Sequence, residues 1–457
     1  MYVKNFIFEI TIHHLQGNKQ MTMTRRNFIQ TNAVVALGLT ASSAGFNIID
    51  NKEQKKTVRV GVVGTGSRGG FLLRILLSLD NVEIPALCDI NKEHLDKAVK
   101  IVVDAGRKRP DTYGKDEYDF KNMMDRDDLD AVIIATYWEW HTPMAVYAMK
   151  AGKYAGTEVP AAYTLDECWD LVNTHEETGV PCMMLENWSF RRDNLAVLNM
   201  IRKGLLGNIV HAHCAHSHDC IDHWFFDPET GLDRWAAKHL LKHNRDQYPT
   251  HQIGPVISWL DIGCGDYYDY ITSTATDGFA INEYFLDRFG PEHPNAKRKF
   301  AQGDIVSTVV RTKKGKSIVI NYDMQLPRPY DNRWTVQGTR GIYNEQRNSV
   351  YLKDVSPEYH KWEPFSPYQE KYENSWWQDL KDQAGSLSHG GTDYLELKLF
   401  VEAVRNKTQT PLDVYDAAIM SVIGPLSEMS IAKGSVPVKV PDFTKGKWKT
   451  KKPSFAV

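Results

Sequence analysis

Between residues 57 and 190 the chain alternates short apolar runs with longer stretches whose apolar positions recur every three or four residues. VRVGVVG (58–64), VEIPALCD (82–89), DAVIIAT (130–136), KYAGTEV (153–159) and VPCMMLE (180–186) predict five buried strands. The intervening FLLRILLSL, NKEHLDKAVKIVVDAG, PMAVYAMKAG and TLDECWDLVNTHEETG predict helices. Gly106 and Gly152 close two of them, and Thr164 with Glu167 three residues on forms a capping box at the start of the last. Strand and helix in strict alternation imply an α/β fold with a parallel, doubly wound sheet.

The period changes after about residue 190. A helix near 194–203 leads into IVHAHCAHSHD, and a region rich in Trp, Tyr and His runs to about 260. DIVSTVVRT, a KKGK turn, SIVINYDM and WTVQGTRGIYN then read as hairpin strands. They predict a second α/β domain, over 191–457, with an open and mostly antiparallel sheet. Helices at 394–406 and 413–432 would cover that sheet or return to the first domain, 57–190.

Residues 1–56 carry a different signal. Arg25 and Arg26 precede Phe28, an apolar run from Ala33 to Leu39, and small residues from Ala41 to Ala44. A charged start, a short apolar stretch and a small-residue zone predict a cleaved leader, and the arginine pair resembles a twin-arginine signal, so export to the periplasm is expected. The apolar run is too short for a permanent membrane anchor. No cysteine follows it, so no lipid anchor is expected.

Composition narrows the classes. The net charge is −2 and no basic block marks a helix, which argues against a nucleic-acid partner. The six cysteines show no C-x-x-C and no repeated spacing, so no disulfide framework is read. Twelve Trp and twenty-one Tyr suit either core filling or a sugar site, where an aromatic face meets the C–H face of a pyranose.

The turn after the first strand is GTGSRGG, with Gly64, Gly66 and Gly69 in the G-x-G-x-x-G spacing. Asp89 lies at the end of the second strand. A glycine turn between strand and helix, with an acid about 20 residues on, is a dinucleotide fingerprint. Gly64 permits the turn, Gly66 lets the backbone approach a pyrophosphate, Gly69 lets helix and strand pack closely, and the helix N-terminus faces the phosphates. Asp89 would accept hydrogen bonds from a ribose diol and repel a 2′-phosphate, so NAD is expected over NADP. The third strand ends in ATYWEWH, placing Trp138, Glu139, Trp140 and His141 at the sheet edge where such folds bind ligands. His141 could also simply cap a helix.

Together with Glu158-Val159-Pro160, these features resemble the Gfo/Idh/MocA oxidoreductases. That family pairs a dinucleotide domain with an open-sheet α/β domain and normally carries Glu-Lys-Pro, so Val159 stands where a proton-relay lysine is expected. TEVPAAYTLDECWDLV, MLENW and YPTHQIGPV (248–256) are similar to glycoside hydrolase family 109, the NAD-dependent α-N-acetylgalactosaminidases. The resemblance implies NAD contacts at Ser67, Arg68, Asp89, Trp138 to His141, Glu158, Val159, Asn187 and Arg234. It implies contacts to both NAD and sugar along Tyr248, Pro249, Thr250 and His251, with Tyr330 on the sugar. It leaves a homo-oligomer open, since the open sheet of such domains often pairs with a copy of itself.

No carboxylate pair of the ordinary glycosidase kind announces itself. A redox route needs other parts: oxidation at the sugar C3 acidifies C2–H, elimination expels the C1 substituent, water adds, and the ketone is reduced again. Tyr248 and His251 are the expected proton-handling pair, His251 at C3–OH and Tyr248 at C2–H. A tyrosine base needs its pKa lowered, and Arg245 and Arg234 are candidate cations. The alternatives are a sugar or cyclitol dehydrogenase that releases NADH, and a non-catalytic sugar-binding protein.

HAHCAHSHDCIDHW (211–224) would place Cys214, His216 and His218 on one face if it were all strand. The spacing fits no standard zinc template, so no metal is expected, and His216 is read as a lining residue of the sugar cleft.

Overall fold

The first sheet has six parallel strands in the order β3-β2-β1-β4-β5-β6. They are β1 (Val58–Val63), β2 (Val82–Cys88), β3 (Asp111–Tyr113), β4 (Ala131–Ile134), β5 (Tyr154–Thr157) and β6 (Cys182–Met184). Helices α1 (Ser67–Ser78), α2 (Lys92–Asp104), α3 (Trp138–Lys150) and α4 (Leu165–Thr178) connect them. The structure is a computed structural model and describes residues 56–380 and 388–457. The twin-arginine leader read in the sequence lies outside the described residues.

Local chemistry sets most of these boundaries. Asn91 caps α2 by accepting from the N–H groups of Glu93 and His94. Thr164 and Glu167 form the expected capping box on α4, and Gly179, at φ 71°, ends that helix in the left-handed region. The pattern read five strands, but the sheet has six: β3 is three residues long and has no fully buried position, so it carries no apolar signature. Helix α3 begins at Trp138, five residues before the predicted start, with Pro143 inside it. Pro143 is the sixth helical residue and has no N–H to offer the Glu139 carbonyl, so one bond of the ladder is missing there.

After helix α5 (Arg192–Arg202), strand β7 (Ile209–Ser217) opens a second sheet of nine strands. Its other long strands are β8 (Tyr268–Ala275), β9 (Ile305–Thr312) and β10 (Ser317–Asp323), followed by the short β11 (Thr335–Gly338) and β12 (Gly341–Asn344). The pairings are antiparallel except β7 with β10, which run parallel with Cys214 opposite Ile320. Along β9 the side chains alternate between buried and more exposed, so one face is covered and the other is open. Helix α6 (Thr250–Trp259) packs on β7 on the covered face.

Helix α7 (Thr392–Asn406) returns to the first sheet and packs on α1 and β1, while α8 (Val414–Ser421) packs on α4 and β6. The single helix predicted at 413–432 is two, α8 and α9 (Ile423–Ala432). Pro425 has no N–H to offer the Ser421 carbonyl, so the ladder breaks there. All six cysteines are free, and five are buried. No helix among the described residues is long and apolar enough to cross a membrane.

Candidate active site

The glycine turn has the shape a dinucleotide needs. Gly64 has φ 77°, and a Cβ on Gly69 would lie 1.8 Å from the Gly64 carbonyl oxygen. Only glycine lets α1 start this close to β1. Gly66 is the N-cap of α1 and no side chain caps that end, so its N–H groups remain available to an anion. Asp89 holds the turn by accepting from the Thr65 N–H at 2.7 Å and the Asn91 N–H at 2.8 Å. The uncapped N-terminus, the glycine-only clearance and the acid at the end of β2 fit NAD.

Beyond the turn the first-domain residues form a buried ionic network. Arg68 on α1 bonds Glu158 through Nε at 2.5 Å and Asp393 through Nη2 at 2.8 Å. The two carboxylates hold its guanidinium well above its ordinary value, although burial opposes them. Asp393, on the first turn of α7, also accepts from the Asn187 amide at 3.2 Å. Glu158 Oε2 accepts from the Val159 N–H at 3.2 Å, and Val159 is buried beside a cis bond to Pro160. Helix α7 therefore reaches back and ties two expected cofactor residues, Arg68 and Asn187, directly. Sequence reading did not find Asp393, because no local motif marks a residue whose partners lie about 200 and 300 positions away.

One turn along α7, Glu396 is fully buried, and neither carboxylate oxygen has a hydrogen-bond partner among the described residues. Burial pushes this carboxyl well above its usual range, and Asp393 and Glu158 add to the effect. The folded chain therefore keeps a proton that the unfolded chain releases in the ordinary carboxylate range. Glu396 thus favours folding below that range, and the contribution is lost as pH rises toward the folded value. Replacing Glu396 by methionine removes both the orphaned oxygens and this slope. We expect Glu396→Met to gain about 1–3 kcal/mol at about pH 8 relative to the native chain, and less near pH 5, read from thermal unfolding at the two pH values. A loss of stability at pH 8 would mean the carboxyl is paired.

The proton-handling groups lie where α6 begins. The YPTH segment is a helix start: Pro249 is the N-cap of α6 and Tyr248 precedes it. His251 Nδ1 lies 2.7 Å from Glu186 Oε1, and His251 Nε2 lies 3.4 Å from the Tyr248 hydroxyl. Glu186 is fully buried and also accepts from the Trp188 N–H at 3.1 Å and the Ser189 N–H at 2.8 Å. A Cβ on Gly254 would fall 2.0 Å from Glu186 Oε2, so α6 can meet this carboxylate only across a glycine. A carboxylate surrounded by donors makes Nδ1 the protonated nitrogen of His251 and leaves the Nε2 lone pair facing the phenol. The arrangement is carboxylate, imidazole and hydroxyl in series, the logic of a triad with tyrosine in place of the nucleophile. Glu186 is the functional residue that sequence reading missed. MLENW contained it, but its partner lies 65 positions on.

Tyr248 is almost fully buried, stacked on Trp138 with centroids 5.7 Å apart and edge-on to Trp224 at 4.9 Å. Burial pushes its phenol well above its ordinary value, Glu158 adds to this, and Arg68 opposes it. The cations expected from sequence do not serve. Arg245 lies 3.7 Å over the Tyr163 ring and donates to the Tyr163 carbonyl. Arg234 donates to the His223 carbonyl at 2.6 Å and reaches Asp227. The positive field at Tyr248 comes from Arg68 instead.

His216 and Tyr330 complete the cleft. The Trp188 indole donates to the Tyr330 hydroxyl at 2.8 Å, and His216 Nδ1 is 3.4 Å from the same oxygen. His216 is buried and its ring lies 5.2 Å from Tyr248. Burial holds its imidazole well below the ordinary value, and the charges of His251 and His218 push the same way. Tyr330 is 41% exposed, which puts it at the mouth.

Other expected site residues are placed differently. His141 is buried with Nδ1 2.8 Å from the Pro160 carbonyl and Nε2 3.1 Å from the Thr136 carbonyl, so it ties two loops at the sheet edge. Trp140 packs edge-on against Tyr118 and Phe120, apart from the Tyr248 cluster. Glu139 pairs with Lys238. Thr250 is fully buried, and its hydroxyl has no partner among the described residues.

Residues 58–186 match the model of an oxidoreductase family with an NAD-binding Rossmann fold, and residues 190–450 match the model of the glycosyl hydrolase 109 C-terminal domain. An alpha-N-acetylgalactosaminidase from Tannerella forsythia is 39% identical, the alignment covering 96% of this chain and 100% of that one. A glycosyl hydrolase family 109 protein from Stenotrophomonas maltophilia is also 39% identical, over 95% and 98%. Among solved structures, an NAD binding oxidoreductase from Klebsiella pneumoniae superposes with a TM-score of 0.67 at 17% identity, covering 84% of this chain and 99% of that one. Levoglucosan dehydrogenase in complex with NADH gives 0.64 at 19%, over 85% and 100%. Those two likenesses establish the fold alone. With a second family model spanning more than half its length, an NAD-binding Rossmann domain before it and relatives matched end to end, the chain belongs to glycosyl hydrolase family 109.

Proposed function

We propose that this glycosidase hydrolyses terminal α-linked N-acetylgalactosamine by transient oxidation of the sugar at C3. The observation that carries the reading is the Glu186–His251–Tyr248 series beside the dinucleotide network, in a site where the carboxylates of Glu158, Asp393 and Glu186 are already engaged. Glu158 is committed to Arg68, Asp393 to Arg68 and Asn187, and Glu186 to His251. None of these stands free to act as one of the two flanking carboxylates of an ordinary glycosidase.

When bound, NAD supplies a hydride acceptor for the sugar and later returns the hydride to it. The rest falls to the chain. Glu158, Arg68 and Asn187 line the cofactor side; Asp393 ties Arg68 to Asn187, and Arg68 holds Glu158. Tyr330, Trp188 and His216 offer hydrogen-bonding groups and a ring face to the sugar. His251 Nε2, oriented by Glu186, accepts the C3–OH proton as the carbonyl forms and releases it to water in the cleft. That carbonyl acidifies C2–H; Tyr248 passes its hydroxyl proton to the emptied Nε2 and then removes the C2 proton. The electron pair released at C2 expels the aglycone from C1. Water adds to C1, the C2 proton returns, and the ketone is reduced to the starting hydroxyl. Val159 in place of a lysine is consistent with proton handling resting on the Tyr248 and His251 pair. The leader sequence supports export with NAD already held, because the twin-arginine route carries folded proteins.

With p-nitrophenyl α-N-acetylgalactosaminide, we expect p-nitrophenol to be released with no net NADH, and in D2O the recovered sugar to carry deuterium at C2. Accumulation of NADH with the glycoside intact would instead identify a sugar dehydrogenase. Neither signal would identify a binding protein.

A further inference from the structure

The histidine-rich segment of the sequence is regrouped by the fold. His211, His213, Cys214 and His216 lie on β7, which ends at Ser217. The strand histidines have partners: His211 Nδ1 is 2.8 Å from Ser317 Oγ, His213 Nε2 is 2.8 Å from Asn321 Oδ1, and His216 meets Tyr330. Past the strand end, His218, Cys220 and His223 converge, their donor atoms all within 4.8 Å of one another. The rings of His218 and His223 and the Cys220 sulfur make no hydrogen bond among the described residues. The Cys220 sulfur is buried and the His218 ring partly buried, the imidazoles of β7 are paired, and the convergence of three metal-ligating atoms here calls for an explanation.

We propose that His218, Cys220 and His223 form a divalent-metal site, with zinc the ion that the donor set fits, at the rim of the sugar cleft. Two imidazoles and a thiolate are the borderline-soft ligands that zinc takes, and three protein ligands leave a fourth position for water.

The main chain presents these ligands without help from an ion. The His218 N–H donates to the Asp323 carbonyl at 2.8 Å and the Cys220 N–H to the Met324 carbonyl at 3.0 Å, which pins the segment to the end of β10. The N–H groups of Trp224 and Phe225 then return to the Cys220 carbonyl at 3.0 and 3.3 Å, closing a turn that brings His223 back over Cys220. Ligand atoms on a tetrahedral zinc lie roughly 3.5 Å apart. His223 is exposed, so rotation of its side chain can supply the contraction from 4.8 Å. Asp219 lies in the same segment and its carboxylate accepts from the Ile221 N–H at 3.2 Å, adding negative charge near the ion. The His218 ring is 5.0 Å from that of Tyr330, so an ion here would fix the turn that backs the sugar-facing tyrosine. The site does not depend on the redox reading, and its test reads the ion rather than turnover.

The full protein, freed of metal with a chelator and kept reduced, is titrated with Co2+. We expect one equivalent to bind, with a thiolate-to-cobalt charge-transfer band in the near ultraviolet and the strong visible bands of four-coordinate cobalt, both discharged by one equivalent of Zn2+. Cys220→Ser loses the charge-transfer band. His223→Ala, at an exposed position, leaves the unfolding temperature unchanged and weakens cobalt binding by more than about tenfold. Absence of the charge-transfer band in the native protein, its survival in Cys220→Ser, or equal cobalt affinity in His223→Ala would each overturn the proposal. If Cys220→Ser does not fold, the His223→Ala titration decides.

Discussion

Tyr248→Phe is expected to fold, to hold NAD, and to release aglycone about 10³-fold more slowly than the native enzyme, within the range that a positioned acid or base contributes. The ring is buried between Trp138 and Trp224 and would stay there, so packing is preserved. What is lost is one hydroxyl, whose hydrogen bond is the 3.4 Å approach to His251. A bond that long contributes little to stability, and such contacts tighten only with substrate in place. Deuterium incorporation at C2 should fall in step with kcat, because removal of the C2 proton is the step assigned to this oxygen. A loss of less than about tenfold, or retained C2 exchange, would remove Tyr248 from the proton-transfer role.

Glu186→Gln should also cost between about 10² and 10⁴ in kcat, although this carboxylate is assigned no contact with sugar or cofactor. It is a positioning residue that acts through His251. The glutamine amide cannot accept at both ends, so one of the groups now served by Glu186 (the imidazole and the Trp188 and Ser189 N–H groups) is left unpaired in a buried place. The split between constants separates this role from a merely structural one: KM should change far less than kcat in the variant. Lowered stability with kcat unchanged would make Glu186 a packing residue only.

The legible parts of this molecule are those written in adjacent residues. The glycine turn, Asp89 and the capping box at Thr164 each depend on partners within about two dozen positions, and the fold realises them. The alternation of apolar runs with helical patterns gives the parallel sheet, because βαβ units are local in sequence. The strand β3 was hidden because three residues, none of them buried, have no period. The parallel pairing of β7 with β10 was hidden because residues 106 positions apart must be brought together before it exists. The ionic ties at the site were hidden for the same reason: the partners in Arg68–Asp393 and His251–Glu186 lie about 300 and 65 positions apart. Arg245 is three residues from Tyr248 in sequence, yet a buried stack on Tyr163 turns its charge away. Proximity along the chain suggested the wrong cation, and Arg68, 180 positions earlier, provides the field.

The central claim is that the glycosidic bond breaks only while the sugar ring is temporarily oxidised. Its most direct test is to strip the dinucleotide from the purified protein, verify that the protein remains folded, and follow aglycone release from the aryl glycoside before and after NAD is restored. Release should sit at background without the dinucleotide and recover fully on adding NAD, with no NADH left over. Undiminished release by the folded, dinucleotide-free protein would contradict the claim.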